Sequence, residues 1–181
     1  MSWARNKILK VTEDANVPIY KRATGQSMGR YLGFVAEGLF QSEEEIAHSA
    51  LFEGSTNTKP GDIKLKDING DGKITWDQDM VPIGRSSIPE MVFGLNLGAE
   101  WKGFSIFAQF YGVNNVTREV NFPTFRSTAH VAYAEGDYWT PDGSATLPAP
   151  RWGTTIDQAA SGTRYWYDGS YLRLKNVELS Y

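Results

Sequence analysis

Residues 91–111 read MVFGLNLGAEWKGFSIFAQFY, and the alternation of side chains along this stretch decides the fold. Before the Lys102-Gly103 pair, one face is apolar and carries Phe93, Leu95, Leu97, Ala99 and Trp101. After it the alternation resumes, and one face carries Phe104, Ile106, Ala108 and Phe110. Two runs of period two around a short glycine turn predict an antiparallel β-hairpin.

The apolar face of this hairpin has two interpretations. In a soluble sandwich it would be turned to a core. In a membrane barrel it would face lipid, with Trp101 and Phe104 in an interfacial aromatic girdle. Each predicted strand has about 8–11 residues, near the length that a tilted strand needs to cross a bilayer. Periodicity alone leaves both interpretations open.

Composition excludes several functional classes. The 181 residues include no cysteine, which excludes disulfide frameworks, thiol catalysis and Cys-ligated zinc. Only two histidines are present, His48 and His130, and the net charge is -3. Because the chain has no general basic field, nucleic acid is not expected as a partner. Aromatic residues make up 13% of the chain and glycines number 18, which favours β-structure with exposed rings.

The regions around the hairpin are long and rich in turns. Residues 1–11 predict a short strand, 12–89 and 115–170 predict loops, and 171–181 predict another strand. In that last strand Leu172 and Leu174 share one phase and Val177 and Leu179 the other, so we expect a β-bulge near Lys175-Asn176. Ser42-Glu43-Glu44-Glu45 predicts a capped helix over about 42–50. Long loops opposite a two-residue turn are typical of outer-membrane barrels.

One stretch resembles a metal-binding loop. Asp67, Asn69 and Asp71 place oxygen ligands at alternate positions, Gly72 permits a sharp turn, and Lys73 offers its backbone carbonyl. The position of the last ligand is occupied by Gln78. A one-residue bulge would bring Asp79 into the ligand shell, and otherwise Asp77 is the candidate. We expect a structural Ca²⁺ site, against the alternative of an Asx-rich turn that only reverses the chain.

No pattern in the chain supports an enzyme. Phosphate-binding loops, nucleophile elbows and His-Glu-x-x-His helices are absent from the sequence. Three acids, Asp137, Asp142 and Asp168, lie near aromatic residues, as in glycosidases, but their spacing pairs no two of them. We therefore expect no catalytic residues.

Several motifs, taken in order, resemble the C-terminal barrel region of SusC/RagA-type TonB-linked outer-membrane transporters. The resemblance covers nearly the whole chain and rests on Arg5–Leu9, Gly33–Ser42, Pro60–Lys64, Asp67–Ile74, Gly94–Leu97, Lys102–Phe104, Asp137–Pro141 and Asp168–Val177. It implies an all-β fold in which this chain is a partial segment of a large antiparallel transmembrane β-barrel, with long extracellular loops and one short helix. Such barrels have about 22 strands and a plugged lumen. Because the chain stops within a strand pattern, we expect it to be an incomplete segment.

The same resemblance implies function, partners and location. The family imports oligosaccharides or peptides, usually beneath a SusD-like surface lipoprotein and with energy from the TonB complex. Its members lie in the outer membrane of Gram-negative bacteria, in contact with lipid. If Lys102-Gly103 is a periplasmic turn, then 91–111 is a transmembrane hairpin, and 12–89 and 115–170 are extracellular. Contacts to the ligand or the lipoprotein lid are then expected at Tyr138, Trp139, Trp152, Tyr165 and Trp166.

A second hypothesis comes from another functional class. The chain could be a secreted β-domain, stiffened by calcium, that binds glycans through its surface aromatic residues. The two hypotheses differ in the surroundings of the apolar face, which is exposed to lipid in the transporter and covered by a core in the secreted domain.

Overall fold

The computed structural model describes residues 1–119, 138–142, 147–149 and 162–181. In these residues the strands are β1 (Ser2–Trp3), β2 (Tyr31–Gly33), β3 (Ala36–Leu39), β4 (Leu51–Phe52), β5 (Ile63–Leu65), β6 (Lys73–Ile74), β7 (Val81–Gly84), β8 (Met91–Trp101), β9 (Phe104–Asn114), β10 (Thr117–Glu119), β11 (Trp166–Asp168) and β12 (Tyr171–Ser180). Helical structure in the same residues is short: α1 (Glu43–Ala47) and 3₁₀ turns at Ile19–Lys21 and Gly162–Arg164. The all-β prediction is confirmed. No helix in the described ranges is long and apolar enough to span a membrane.

The predicted hairpin forms the centre of a four-stranded sheet, called the main sheet below. Strands β8 and β9 pair antiparallel from Met91↔Asn114 to Trp101↔Phe104 without a register shift. Their turn has positive φ at both residues, +48° at Lys102 and +88° at Gly103. A type I′ turn requires this conformation, and its twist matches that of the flanking strands.

Strand β12 extends the sheet on the other side of β9, giving the order β1-β8-β9-β12. Its register against β9 shifts between Leu174, which faces Phe110, and Asn176, which faces Gln109. The predicted bulge is thereby confirmed, with Lys175 as the extra residue. The bulge keeps apolar side chains on one face along the whole strand, because it corrects the change of phase in the sequence.

The first strand is shorter than the pattern of residues 1–11 predicts. Only Ser2 and Trp3 pair with β8, opposite Val92 and Met91. Beyond them the backbone turns to another partner: Ile8 donates to Gln26 O and accepts from Gly25 N, both at 2.8 Å. The segment leaves the sheet because its hydrogen bonds go to this loop.

The region 12–89, predicted as loop, contains small sheets and a core of its own. The strands pair as β2-β7, β3-β5 and β4-β6. The region contributes Phe34, Phe52, Ile63, Leu65 and Ile74 to this core, and Tyr165 of the region 115–170 is buried with them. Each strand has only two to four residues. Such strands are too short for an alternation pattern to reveal them.

Helix α1 begins where the capping pattern places it, but it ends at Ala47, earlier than the predicted residue 50. The Ser42 hydroxyl accepts from Glu45 N at 3.1 Å, and Glu45 Oε2 accepts from Gln41 N at 2.8 Å. Glu45 Oε1 also accepts from Lys64 Nζ on β5 at 2.9 Å. The Gln41 hydrogen bond, together with Lys64, lowers the pKa of Glu45, so the carboxylate stays charged and joins α1 to β5.

The two ends of the region 115–170 are held together. Strands β10 and β11 pair antiparallel, with Thr117 opposite Asp168 and Glu119 opposite Trp166. Close by, Gly162 approaches the backbone of Phe34, and a Cβ on Gly162 would lie 1.9 Å from Phe34 O. Thr163 N donates to that same oxygen at 2.9 Å. These contacts bring Tyr165 into the core of the region 12–89.

Candidate functional site

The main sheet has one face that is apolar and exposed across three strands. Residues directly opposite each other in antiparallel strands share a face, so the registers of β8, β9 and β12 place the predicted apolar residues together. Half or more of the surface is exposed for most of its large side chains: Leu95 51%, Leu97 51%, Trp101 69%, Phe104 49%, Ile106 49%, Leu172 64%, Leu174 53%, Val177 53% and Leu179 74%. A large exposed apolar patch of this kind marks a surface that contacts a membrane or another protein.

The opposite face of the same sheet mixes glycines, polar side chains and aromatic rings, and some of these side chains contact one another. Ser105 and Ser180 share a hydroxyl hydrogen bond of 2.6 Å across β9 and β12. The Arg173 guanidinium lies 5.4 Å from the centre of the Tyr111 ring and 5.6 Å from that of Tyr171. The two faces therefore differ as the lipid and lumen faces of a barrel wall do.

Aromatic side chains lie at both ends of the apolar face. At the turn end, the rings of Phe104 and Tyr181 are 4.7 Å apart, and Lys102 Nζ lies 4.7 Å from the ring of Trp101. At the other end Trp3, 64% exposed, pairs with Met91. Strand β8 spans about 34 Å at the usual rise per residue, or about 26 Å along the membrane normal at a tilt of about 40°. This height matches the apolar band of outer-membrane barrels.

Residues 67–79, which resemble a metal-binding loop and are called the metal-like loop below, are ordered by hydrogen bonds between their side chains and their own backbone. The Asp67 carboxylate accepts from Gly70 N at 2.6 Å and from Gly72 N at 2.8 Å. The Asp71 carboxylate accepts from Asn69 Nδ2 at 2.9 Å and from Lys73 N at 2.9 Å. The amide of Asn69, together with Lys73 N, lowers the pKa of Asp71. The Asp71 side chain is exposed and that of Asp67 is half-buried, and two carboxyl groups suit an oxygen donor set for a hard cation.

The two candidates for the last ligand have different environments. Asp79 is fully buried, and its carboxylate accepts from Ile68 N at 2.9 Å and from Thr75 N at 2.7 Å. Asp77 is exposed, and its backbone carbonyl accepts from Lys21 Nζ at 2.7 Å. Among the described residues, no three His, Cys, Asp or Glu side chains gather closely enough to hold a metal. The predicted ligand set depends on the Asn69 amide and the Lys73 carbonyl as well as on acids.

The predicted aromatic contacts do not form one surface. Trp139 packs over Gly61, where a Cβ would lie 2.7 Å from Trp139 Cε3, and its indole donates to Gln41 Oε1 at 2.9 Å. Tyr138 is 38% exposed, whereas Tyr165 is buried in the core. Trp166 is half-buried, with its ring centre 4.0 Å from that of Tyr31. Trp152 lies outside the described residues.

Two curated relatives match most of the chain. It is 32% identical to TonB-dependent receptor P26 of Formosa agariphila and 27% identical to TonB-dependent receptor P3 of the same organism, each over 87% of its length. This similarity supports an assignment of the chain to the TonB-dependent receptor family. The chain spans 16% and 15% of the lengths of these relatives. No family model matches it.

TonB-dependent receptors are outer-membrane transporters of Gram-negative bacteria, not enzymes. The predicted location and the predicted lack of catalysis agree with this class of protein. The similarity also agrees with the structure, in which mostly antiparallel strands and little helix fit a piece of a TonB-dependent receptor barrel.

Sequence patterns missed two groups of residues. Tyr20 and Lys21 hold the metal-like loop from outside: the Tyr20 hydroxyl donates to Gln78 O, and Lys21 Nζ donates to Trp76 O at 3.0 Å. A second group lines a cleft near Glu90 and consists of Arg5, Lys7, Arg30 and Arg85. Of these residues, only Arg5 and Lys7 could be singled out from the sequence, because they belong to the first motif of the family resemblance.

Proposed function

We propose that this chain forms part of the barrel wall and the outer loops of a TonB-dependent outer-membrane transporter of the SusC/RagA type. In this proposal the whole protein imports oligosaccharides or peptides, together with a SusD-like surface lipoprotein and the TonB complex. The observation that carries the proposal is the apolar, exposed face shared by β8, β9 and β12. Lipid covers such a face without any second layer of protein, whereas a soluble sandwich needs a packed sheet there.

We also propose an orientation for the segment. The Lys102-Gly103 turn is periplasmic, and the regions 12–89 and 115–170 are extracellular. The two-residue turn supports this orientation, because outer-membrane barrels have short periplasmic turns and long extracellular loops. The core of the region 12–89 and the β10-β11 pairing then stiffen the outer mouth of the barrel.

Neighbouring residues on opposite faces of β8 test the proposal. Leu95→Arg places a charge on the lipid face, where it costs about 2–4 kcal/mol near the bilayer midplane. Asn96→Arg places the same charge on the polar face and serves as the matched control. In the intact protein that contains this chain, we expect Leu95→Arg to reduce the heat-modifiable barrel recovered from outer membranes, and Asn96→Arg to leave it unchanged. The amount is measured on gels run with and without boiling.

Two results would contradict the proposal. One is equal recovery of both variants, since the two faces would then have equivalent surroundings. The other is that the protein fractionates with soluble proteins. TonB-dependent uptake of labelled oligosaccharides and peptides by cells with and without the protein then distinguishes the two substrate classes.

We propose, further, that the loop 67–79 binds Ca²⁺ as a structural ion. The ligands are Asp67, Asn69, Asp71, the Lys73 carbonyl and Asp79, with Asp77 as the alternative to Asp79. A carboxylate has about four lone-pair sites, so Asp79 can accept from Ile68 N, Thr75 N and the Thr75 hydroxyl and still offer a lone pair. The glycines at 70 and 72 both have positive φ, +76° and +82°, as the tight path of such a loop needs.

Proteolysis tests this site directly, because Lys73 is exposed within the loop. We expect Ca²⁺ to slow trypsin cleavage after Lys73 in the intact protein, with Mg²⁺ as a control ion. Asp71→Asn should remove the protection. If Asp79 is the last ligand, Asp77→Asn keeps the protection; loss of protection in Asp77→Asn assigns the ligand to Asp77. A cleavage rate that does not depend on Ca²⁺ would disprove the site.

We propose contacts to the ligand or the lipoprotein at Tyr138, Trp139 and Trp166. Exposure of Tyr138 and the position of Trp139 at the surface of the region 12–89 support this role. Trp152 belongs to the same proposal by sequence. Tyr165 is buried in the core with Phe34, so we propose that it supports these contacts indirectly.

A further inference from the structure

The cleft near Glu90 has a local charge opposite to that of the whole chain. It has a volume of about 560 Å³, and four cations line it: Arg5, Lys7, Arg30 and Arg85. Glu90 is the only carboxylate among the lining residues, so the lining carries a net charge of +3. The chain as a whole has a net charge of -3. A concave surface of one sign concentrates ligands of the opposite sign.

Glu90 compensates this charge only in part. Its carboxylate lies 3.8 Å from Arg5 Nε and 3.4 Å from Arg85 Nη1, longer than a charge-assisted hydrogen bond. It also accepts from Asn115 Nδ2 at 3.2 Å. A guanidinium has five N–H donors. Only one nitrogen of Arg5 and one of Arg85 lie within 4 Å of the Glu90 carboxylate. Further N–H donors of Arg5 are therefore left for a ligand, whereas Arg85 also interacts electrostatically with Asp168, which lies outside the lining of the cleft.

The other two cations have no acidic partner in the described part of the chain. Arg30 donates to the backbone carbonyls of the turn at 19–21 and its C-cap, including Arg22 O at 2.6 Å. Carbonyl acceptors orient the guanidinium but do not neutralise it. Lys7 lies beside Gly25, where a Cβ would be 4.0 Å from Lys7 Cε, and it makes no ion pair there.

The walls of the cleft are held in place by backbone contacts. Ile8 pairs with Gly25 and Gln26 through two hydrogen bonds of 2.8 Å, and Asn6 Oδ1 accepts from Met28 N at 2.6 Å. On the other side, Ala4 N donates to Glu90 O at 2.8 Å. A ligand therefore meets cations whose backbone is already fixed, which lowers the entropic cost of binding.

We infer that this cleft binds an oxyanion group, a carboxylate, sulfate or phosphate, carried by a soluble ligand of the protein. Guanidinium groups form paired hydrogen bonds with such groups, and Lys7 adds a point charge. The inference deepens the proposed function, since it assigns an anionic class of oligosaccharide or peptide to the transporter. The cleft adjoins the start of β8, at the end of the sheet opposite the Lys102-Gly103 turn. In the proposed orientation this is the outer side, where a ligand enters.

Calorimetric titration of the intact protein in detergent tests the inference. The probes are a disaccharide with one sulfate, the same disaccharide without sulfate, and inorganic sulfate. We expect the sulfated disaccharide to bind at least about tenfold more tightly than the neutral one, because a hydrogen bond to a charged group typically has that effect. Raising NaCl from about 0.05 M to about 0.5 M should weaken this binding, because salt screens exposed charges.

Matched variants locate the site. Lys7→Gln and Arg5→Gln should each weaken binding of the sulfated disaccharide by about five- to tenfold. Lys10→Gln makes the same change of charge on the same segment, but Lys10 does not line the cleft, so it should bind as the wild type does. The melting temperatures of the three variants check that the fold is intact.

Several results would overturn the inference. The first is equal affinity for the two disaccharides. The second is an equal loss of affinity in Lys10→Gln and Lys7→Gln. The third is binding of inorganic sulfate without binding of the sulfated disaccharide. Preference for lipopolysaccharide micelles over the sulfated disaccharide would assign the cleft to a membrane phosphate and also overturn it. The assay needs neither TonB nor insertion, so its failure leaves the barrel proposal untouched, and failure of the Leu95→Arg test leaves the cleft result standing.

Discussion

Asp79 shows how one buried carboxylate can hold a loop. Its side chain is inaccessible to solvent and accepts from Ile68 N and Thr75 N, which flank residues 69–74 of the metal-like loop. Asp79→Asn replaces one acceptor oxygen by an amide NH₂ that faces a backbone N–H. Loss of a buried hydrogen bond of this kind costs about 1–3 kcal/mol. We expect trypsin cleavage after Lys73, without added calcium, to be roughly tenfold faster or more, because cleavage follows the population of the open loop.

Asp77→Asn is the control for this prediction. Asp77 is exposed, and its contact with Lys21 uses the backbone carbonyl, which the substitution keeps. Its cleavage rate should stay within about twofold of the wild type, as for most surface substitutions. An Asp79→Asn protein cut no faster than Asp77→Asn would show that the buried carboxylate does not hold the loop.

The roles of residues in this loop were predictable from sequence only where they depend on neighbours along the chain. Oxygen side chains at alternate positions and Gly72 identify the turn, because each ligand position has a fixed offset along the chain. The hydrogen bonds from Tyr20 and Lys21 were not predictable, since they join residues more than fifty positions apart. Burial of Asp79 was likewise missed, because it depends on how the core closes around the loop.

The bulge in β12 gives a prediction at the scale of one element. Lys175 is the extra residue between Leu174 and Asn176, and apolar residues on both sides of it share the exposed face. Deleting Lys175 restores strict alternation and keeps Leu172, Leu174, Val177 and Leu179 together. Deleting Glu178 instead moves Leu179 to the polar face. We expect the Lys175 deletion to assemble in the outer membrane as the wild type does, and the Glu178 deletion to assemble poorly.

Heat-modifiability on gels compares the two deletions, which remove the same number of residues from the same strand. If both assemble equally, the face on which Leu179 lies does not matter for insertion. If only the Lys175 deletion fails, the bulge itself has a role that alternation does not describe. Either outcome would contradict the lipid-face assignment for β12.

Elements were predictable where the signal lies within one segment. The alternation of residues 91–111, the phase change near Lys175 and the Ser42 cap each depend on neighbours in sequence, and each is found in the structure. The strands of the region 12–89 were missed because they are short and their core is assembled from distant segments. Tyr165, for example, packs in one cluster with Phe34.

At the scale of the whole molecule, the main sheet has open edges. In the described residues its order is β1-β8-β9-β12, with β12 at one edge and the two-residue β1 at the other. Backbone N–H and C=O groups at an open edge have no partner within a membrane, so such a sheet is stable in lipid only as part of a closed barrel. The chain matches relatives about six times as long, and in the proposed function the intact protein supplies the other strands of a closed barrel.

This requirement predicts how the 181-residue chain behaves when it is expressed alone. We expect it to form no heat-modifiable band and no conducting pore in lipid vesicles, whereas the intact protein that contains it forms the heat-modifiable barrel. The region 12–89 has its own core and small sheets, so we expect its amides to retain some protection from hydrogen exchange in the isolated chain. The amides of β12, at the sheet edge, should exchange rapidly.

The opposite result would favour the secreted β-domain. If the isolated chain were a soluble monomer that unfolds cooperatively, the apolar face of β8, β9 and β12 would have to be covered by protein, because about half of each large side chain is otherwise exposed. Leu95→Arg would then destabilise that monomer in water, while Asn96→Arg would not. The same pair of variants therefore shows what covers the apolar face. If lipid covers it, Leu95→Arg impairs membrane insertion; if a protein core covers it, Leu95→Arg impairs folding in water.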